Sequence, residues 1–355
     1  MRRVLVAMSG GVDSSVAAYL LKKEGYDCAG AMMRLFDTEA GWSDNDARAA
    51  ALKLGVPFFV FDFSREFRGC VIQSFADEYA GGRTPNPCVE CNRSIKFGSF
   101  LAGAKGRGYE FIASGHYART KYEAGRYLLK KGLDAEKDQS YVLYAMKQDQ
   151  LEHTLFPLGE LTKPQVRAIA ENAGFPNAGK EESQDICFIP DGDYAAFIER
   201  LSGRPCAEGP IVDTEGRLLG KHRGALRFTP GQRRGIGVST SGPPLYVCAT
   251  DIKTNTVVLG TEDKLYAKSL AAHNINLIAC DRIDRPLKVK AKIRYRMPEQ
   301  SAVVEQTGDD TLSLSFDAAQ RAITPGQALV LYDGDIVIGG GTITGQATNP
   351  KCISL

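Results

Sequence analysis

The chain has 355 residues, 43% of them hydrophobic, and its 44 basic and 42 acidic residues give a formal charge of +2. This length predicts two or three domains, and the near-neutral total means that a nucleic-acid surface requires local clusters of charge. A strand pattern begins directly after Arg3 and no long apolar run follows, so we expect no targeting segment, no membrane span and a cytoplasmic location. Nine cysteines in such a chain predict reduced thiols with metal or redox chemistry.

The first element is an apolar strand pattern at residues 4–7, followed by the turn Ser9-Gly10-Gly11-Val12-Asp13-Ser14-Ser15 and a helical pattern. Glycines let the backbone approach a ligand closely, and the free amides at a helix start attract a phosphate. The spacing is neither that of the common nucleoside-triphosphate loop nor that of dinucleotide-binding folds. The sequence therefore predicts a different type of nucleotide loop, with a plain connecting turn as the alternative.

The first half of the chain alternates strand and helix patterns. Residues 27–33 and 57–61 are predicted strands with a helix at 44–54 between them, and a further strand at 109–113 leads into Ser114-Gly115-His116. This alternation predicts an α/β fold with a doubly wound parallel sheet. Ligands bind beyond the carboxyl ends of such strands, so residues 9–15, Met33 and Gly115 should lie along one crevice.

Three cysteines form the second constellation. Cys88 and Cys91 precede a helical pattern at 95–105, and Cys187 lies in the segment Glu182-Ser183-Gln184-Asp185-Ile186-Cys187-Phe188-Ile189. We expect the helix dipole to lower the pKa of the paired thiols, which favours nucleophilic or metal-binding work. Half a zinc site or two packed thiols are the alternatives for the pair taken alone.

Beyond residue 200 glycine and proline become frequent and the strand patterns shorten. We predict three domains: a nucleotide domain at 1–200, a small linking domain at 201–266 and an antiparallel β-barrel at 267–355. Basic residues alternate with largely apolar ones in the predicted strand 288–296, which gives one basic face. That face suits a phosphate backbone, or alternatively protects an exposed edge against aggregation.

The loop resembles the signature of the ATP pyrophosphatase superfamily. The motifs SGGVDSS, GRTPNPCVECNRSIKF, ASGHYAR, KDQSYVLY, SQDICFI and FTPGQRRGIG occur in this order, and together they resemble the tRNA-specific 2-thiouridylase family. The resemblance implies an enzyme that uses ATP and Mg²⁺ to adenylate the C2 oxygen of the wobble uridine, position 34 of tRNA. Sulfur then replaces that oxygen, and AMP and pyrophosphate are released.

The resemblance also implies roles for individual residues. ATP would be bound by Ala7, Met8, Ser9, Gly10, Gly11, Val12, Asp13, Ser14, Met33 and Gly115, with Asp13 a candidate magnesium ligand. A base must leave its stack to be modified. The flipped-out target base would face Asn86, Pro87 and Cys88. Contacts to tRNA would come from His116, Lys137, Asp138, Gln139, Arg294, Tyr295 and Gln327.

Two routes for the sulfur remain open at this point. In the family, the cysteine in the position of Cys187 carries sulfur as a persulfide. The cysteine in the position of Cys91 releases that sulfur by forming a disulfide with the first. Many members carry an aspartate where this chain has Cys88. Cys88, Cys91 and Cys187 could therefore instead hold a 4Fe-4S cluster whose open iron binds sulfide.

The expected partners follow from the same resemblance. They are the tRNAs for glutamate, glutamine and lysine, and a cysteine desulfurase or sulfur-relay protein, or free sulfide if a cluster is present. Two other classes share parts of the pattern: an amidating synthetase of the same superfamily, and a non-catalytic RNA-binding protein. The first has no use for Cys91 and Cys187, and the intact loop argues against the second.

Overall fold

The computed structural model describes residues 2–37, 42–180, 186–203, 205–240 and 242–346. Within them the chain forms a parallel sheet covered by helices, a small central sheet and a closed antiparallel barrel. None of the helices in these ranges is both long and apolar enough to cross a membrane.

The first part of the chain contains the strands of the parallel sheet and one hairpin. Its strands are β1 Arg3–Ala7, β2 Asp27–Arg34, β3 Phe58–Asp62, β4 Phe111–Ala113, β5 Ala118–Glu123, β6 Arg126–Lys131 and β7 Thr154–Leu155. Five of them form a parallel sheet in the order β3-β2-β1-β4-β7. Val4, Leu5 and Val6 are completely buried, as expected for a parallel strand with helices on both faces. The prediction of a doubly wound parallel sheet is confirmed.

Helices cover both faces of this sheet. They are α1 Val12–Lys23, α2 Asn45–Leu54, α3 Ser64–Phe67, α4 Ser74–Ala80, α5 Pro87–Glu90, α6 Phe100–Lys105, α7 Ser140–Leu143, α8 Gln148–Glu152, α9 Lys163–Asn172 and α10 Tyr194–Ser202. The π-helical segments Arg68–Gln73 and Cys91–Ser99 join α3 to α4 and α5 to α6. Alternate residues of β1 belong to different cores, with Leu5 packed among the aromatic residues and Val4 against α1 and α9.

The central part is a four-stranded sheet with its own small core. Its strands are β8 Gly209–Asp213, β9 Leu218–His222, β10 Tyr246–Asp251 and β11 Thr256–Gly260, in the order β10-β11-β8-β9. Ile211, Val247 and Leu259 are completely buried in that core.

The last part is a barrel, as the sequence predicts. Its strands are β12 Tyr266–Leu277, β13 Leu287–Lys292, β14 Gln300–Gly308, β15 Thr311–Arg321, β16 Ala328–Asp333 and β17 Ile336–Gln346. They follow the order β12-β15-β14-β13-β16-β17, and β17 pairs back onto β12 to close the barrel.

One hairpin ties the barrel to the parallel-sheet part. Strands β5 and β6 extend the barrel sheet through a pairing of Lys130 with Ile336. Arg119 adds an ion pair of 2.9 Å from Nη2 to the carboxylate of Asp335, and the Lys131 amide donates to the Asp335 carbonyl at 2.8 Å. The barrel is thereby fixed against the strands that carry the candidate site.

Candidate active site

The turn between β1 and α1 is shaped by its own hydroxyl groups. Ser14 Oγ accepts a hydrogen bond from the Ser9 amide at 3.2 Å and donates to the Gly11 carbonyl at 3.1 Å. Gly10 has a φ of +77°, and a Cβ there would lie 2.9 Å from the Cβ of Asp46. Glycine is therefore required at this position by both backbone conformation and space.

Asp13 is held by two partners that sequence patterns did not reveal. Lys163 Nζ lies 2.7 Å and 2.8 Å from the two carboxylate oxygens, and the Tyr117 hydroxyl donates to one of them at 2.9 Å. The Lys163 side chain is only 8% exposed. Because 150 residues separate Lys163 from Asp13, no local pattern could have indicated the pair.

Asn177 buttresses the same loop from below. Its Nδ2 donates to the Gly10 carbonyl at 3.0 Å and to Ser15 Oγ at 3.1 Å. Its buried Oδ1 has no hydrogen-bond partner among the described residues. The side-chain nitrogen of Asn177 thus fixes the loop backbone, and its side-chain oxygen takes no part in that contact.

A cavity of about 590 Å³ opens above the loop and the carboxyl ends of the parallel strands. The predicted site residues that line it are Ala7, Met8, Ser9, Asp13, Ser14, Met33, Gly115, His116, Gln139 and Cys187. Gly10, Gly11 and Val12 are not among its lining residues. Lys96, Phe97, Phe100, Trp42 and Ser114 also line it, and they were not predicted. The expected single crevice at the strand ends is present.

Gly115 lets β4 end against the first turn of α1. A Cβ at this position would lie 2.8 Å from the Ser14 nitrogen and 2.8 Å from the Asp13 carbonyl carbon. The next residue, His116, has Nδ1 at 2.9 Å from Ser114 Oγ, and its ring packs against Phe97. Burial, with a smaller effect of Lys96, lowers the pKa of His116 well below its usual value, so the ring is neutral at neutral pH.

The paired cysteines lie on one continuous helix with different exposure. Asn86 caps α5 by accepting a hydrogen bond from the Cys88 amide at 3.1 Å. Cys88 is exposed, whereas Cys91 is 7% exposed and packs into the aromatic core. Burial raises the pKa of Cys91, so the expectation that the helix dipole would lower it is wrong for this thiol. Desolvation of the thiolate outweighs the dipole because the side chain points into the core.

Cys187 is solvent-exposed at the edge of the cavity that it lines. Partial desolvation of its thiol among neighbouring atoms raises the pKa of Cys187 to about 12, and the nearby Cys91 and Cys88 act in the same direction. The adjacent Phe188 packs edge-on against Phe67 and Phe75, which anchors the segment. Residues 182–185 of the predicted motif lie outside the described residues.

Lys96 is the cation that both thiols share. It lines the cavity and acts to lower the pKa of Cys91 and of Cys187, although less strongly than burial raises them. No group of three or more His, Cys, Asp or Glu side chains in the described parts of the chain is arranged to hold a metal ion.

The predicted basic face of residues 288–296 is only partly present. Strand β13 ends at Lys292, and Arg294 turns inward, donating to Thr324 Oγ1 at 2.7 Å and to the Ala322 carbonyl at 2.9 Å. Burial lowers the pKa of Arg294 from its usual value. Lys288 and Lys290 remain exposed. The strict alternation is wrong beyond Lys292 because the chain leaves the sheet there.

The other residues implied to contact tRNA lie in two places. Gln139 Oε1 accepts from the Tyr117 amide at 3.0 Å, and Asp138 accepts from the amides of Gly132 and Ser140, while Lys137 precedes them in the same turn. Tyr295 packs against Tyr141, and Gln327 donates to the Thr84 carbonyl at 2.7 Å.

Comparison with protein-family models places the whole arrangement in a known class. The tRNA methyl transferase HUP domain matches residues 2–191, the tRNA methyl transferase PRC-barrel domain matches 196–261, and the aminomethyltransferase beta-barrel domain matches 267–343. The chain is thus a tRNA-modifying type of enzyme with a HUP domain followed by two β modules.

Curated relatives define the family more narrowly. Proteins named tRNA-specific 2-thiouridylase MnmA are 47% identical in Clostridioides difficile, over 96% of this chain and 98% of the relative, and 48% identical in Acetivibrio thermocellus, over 96% and 99%. A relative from Thermoanaerobacter named tRNA-specific 2-thiouridylase MnmA 1 is 48% identical over 96% of this chain and 97% of its own. The chain belongs to the tRNA-specific 2-thiouridylase family, a family of tRNA sulfurtransferases.

Proposed function

We propose that this protein catalyses the ATP-dependent 2-thiolation of uridine 34 in tRNA, through adenylation of the C2 oxygen and sulfur transfer from a cysteine persulfide. The observation that carries the proposal is the cavity that joins the phosphate-type loop to a thiol. Ser9, Asp13 and Ser14 lie on one side of it and Cys187 on another. An amidating synthetase needs the loop but not the thiol, and an RNA-binding protein needs neither.

The loop side of the cavity suits the polyphosphate of ATP. The Ser9 hydroxyl and the start of α1 both favour negative charge there. Among the described residues that line the cavity, Asp13 is the one carboxylate, and Mg²⁺ is usually held by one or two carboxylates together with substrate phosphates. Asp13 would therefore hold the ion, which supplies charge neutralisation for pyrophosphate departure, and Lys163 keeps this carboxylate oriented.

Adenylation prepares the base for substitution. The uridine C2 oxygen attacks the α-phosphorus of ATP, the bond to the β-phosphate breaks, and pyrophosphate leaves with the electron pair. The neutral His116 and Ser114 lie beside this reacting end of the cavity and offer hydrogen bonds without adding charge. The base would reach it past Asn86, Pro87 and Cys88, at the start of the cysteine helix.

Sulfur transfer would then proceed between two cysteines. The terminal sulfur of a Cys187 persulfide attacks C2, the C2–O bond breaks, and AMP leaves with the electron pair. The Cys91 thiolate next attacks Cys187 Sγ, which forms a Cys91–Cys187 disulfide and leaves the sulfur on C2. A thiol reductant restores the cysteines, and a desulfurase or relay protein supplies the next sulfur. Since both thiols have raised pKa values, the charge of Lys96 is positioned to favour their ionised forms.

Reconstitution with unmodified tRNA for glutamate, glutamine or lysine, ATP and a persulfide donor tests this function. We expect 2-thiouridine in the tRNA, with AMP and pyrophosphate formed alongside it. Cys91→Ser and Cys187→Ser should abolish thiolation but retain AMP formation, whereas Cys280→Ser in the barrel should retain both. Absence of tRNA-dependent AMP formation in the unaltered protein would refute the proposal.

The iron-sulfur route is decided by a separate measurement. Iron and acid-labile sulfide are measured in protein purified without oxygen, together with the activity of Cys88→Ala. We expect neither iron nor sulfide in amounts near a cubane, and substantial activity in the variant. A full cluster that is lost in Cys88→Ala would replace the Cys187 persulfide by cluster-bound sulfide and leave the thiolation reaction itself in place.

A further inference from the structure

Barrel residues 324–327 form hydrogen bonds to the chain just before the helix at 87–99 that carries Cys88 and Cys91. We call this contact the clasp and this helix the cysteine helix. The Thr84 amide donates to the Pro325 carbonyl at 2.8 Å, and Gln327 Nε2 donates to the Thr84 carbonyl at 2.7 Å. Both polar groups of the Thr84 backbone are thus bonded to the same loop. Thr84 lies two residues before Asn86, which caps α5.

Gly326 allows this close contact. Its φ is +88°, and a Cβ there would lie 2.9 Å from the Thr84 nitrogen and 3.0 Å from the Arg83 Cβ. The loop itself is anchored on β17, because the Gly326 amide donates to the Ile343 carbonyl and the Ile343 amide donates to the Gln327 carbonyl, each at 2.8 Å. A glycine between two anchors therefore brings barrel backbone directly onto Thr84.

The clasp leads into a stiff connection. Pro85 and Pro87 flank Asn86, and the fixed φ of proline limits how far this stretch can rearrange between Thr84 and the helix. On the other side, Arg83 makes a two-point ion pair with Glu78 at 2.6 Å and 2.8 Å. Because this stretch can rearrange little, we expect a displacement of Thr84 to displace Asn86 and Cys88 as well.

Three of the residues for which the resemblance implies a tRNA contact lie at or near the same loop. Arg294 donates to Thr324 and Ala322 at its start, and also reaches the Pro230 carbonyl of the central part at 3.4 Å. Tyr141, which packs against Tyr295, donates from its hydroxyl to the Ala328 carbonyl at 2.8 Å. The side chains of Arg294 and Gln327 are thus already engaged in fixing the clasp.

We propose that Gln327 is a positioning residue of the thiolation reaction, holding Thr84 so that the start of the cysteine helix, with Asn86, Cys88 and Cys91, keeps its place. The inference rests on the proposed function for its catalytic consequence, but the clasp itself is a property of the protein without tRNA. Loss of the Gln327 amide loosens the start of the cysteine helix. Since this amide donates to Thr84, the proposal replaces the direct tRNA contact that the resemblance implies for Gln327 by a role within the protein.

The test compares Gln327→Ala and the isosteric Gln327→Glu with a change at a barrel glutamine whose side-chain amide donates within its own segment, to the Pro298 carbonyl, Gln300→Ala. For each protein we measure the Kd for tRNA and the single-turnover thiolation rate at saturating tRNA. Loss of the partly buried hydrogen bond from Gln327 to Thr84 should slow that rate by about tenfold in both Gln327 variants. The Kd for tRNA should stay within about twofold of that of the unaltered protein. Gln300→Ala should change neither.

A second readout uses the thiols in the absence of tRNA. Cys91 is 7% exposed and Cys28, in β2, is 5% exposed, so slow labelling by a maleimide reports local opening at each. We expect Cys91 to label severalfold faster in the Gln327 variants, with Cys28 unchanged. Gly326→Ala, whose Cβ would collide with Thr84, should do the same.

Two outcomes would overturn the inference. A Kd weakened tenfold with an unchanged rate at saturation would make Gln327 an RNA contact, and unchanged Cys91 labelling in all three variants would remove the clasp. If the unaltered protein fails to thiolate tRNA, the proposed function is refuted, while the Cys91 labelling still decides the clasp.

Discussion

Replacing Lys163 by methionine removes the cation from the buried pair with Asp13. The side chains of Lys163 and Asp13 are 8% and 30% exposed, and the Tyr117 hydroxyl also donates to the Asp13 carboxylate. Removing one member of a buried ion pair costs about 3 to 5 kcal/mol, because it leaves a desolvated charge uncompensated. Since Asp13 keeps some contact with water, we expect the lower end, about 3 kcal/mol in the free energy of unfolding.

Urea unfolding followed by circular dichroism measures this loss, and the chain offers a matched control. Lys180 and Asp46 form a pair of similar length, 2.6 Å, whose side chains are 50% and 56% exposed. Lys180→Met should therefore cost at most about 1 kcal/mol, since water and salt screen such a pair.

A double-mutant cycle separates the pair from other effects of the substitution. Asp13→Asn combined with Lys163→Met should cost at least about 1 kcal/mol less than the sum of the two single changes, because neither charge is then left buried alone. An additive double variant, or a Lys163→Met that is no less stable than Lys180→Met, would refute the assignment of a stabilising buried pair. Both single variants should also lose tRNA-dependent AMP formation, since they disturb the same loop.

Four further outcomes follow from the site. Gly115→Ala places a Cβ 2.8 Å from the Ser14 nitrogen and should weaken ATP binding by about tenfold or more in calorimetry, whereas Gly69→Ala, with open space around it, should not. Because the pKa of Cys187 is raised to about 12, its thiolate fraction and its alkylation rate by iodoacetamide should rise about tenfold per pH unit from pH 7 to 10, and a plateau near pH 8 would contradict this. Removal of Mg²⁺ by a chelator should abolish AMP formation, which added Mg²⁺ restores, and persistence of the activity would exclude the Asp13 role. Affinity for tRNA should fall steeply between 50 and 200 mM salt in filter binding, and a salt-independent Kd would remove the electrostatic surface.

Local sequence patterns determined the framework of this protein. The apolar run before Ser9, the paired glycines and the helical pattern after Ser15 predicted the first strand, loop and helix, because strand and helix periodicities and glycine conformations are short-range properties. In the structure the helix begins earlier, at Val12. The alternation of elements predicted the parallel sheet, and this in turn predicted that Met33 and Gly115 would meet the loop at one edge. The short strands beyond residue 266 likewise predicted the barrel.

Tertiary packing decided what the functional side chains meet. Lys163, Tyr117 and Asn177 reach the loop from positions more than 100 residues away, where no local spacing connects them to it. The pKa values of the cysteines depend on how deeply each thiol is buried, so the sign expected from the helix dipole alone was wrong for Cys91.

The barrel shows the same division. Alternation correctly assigned the faces of β13 up to Lys292, where the strand ends. Arg294 lies beyond that end and turns inward, because it donates hydrogen bonds to the Ala322 carbonyl and to Thr324 Oγ1. The contact of Gln327 with Thr84 joins segments 243 residues apart. Sequence periodicity fixes which residues share a face of one element, whereas contacts between elements depend on the packing of the whole chain and are visible only once it is folded.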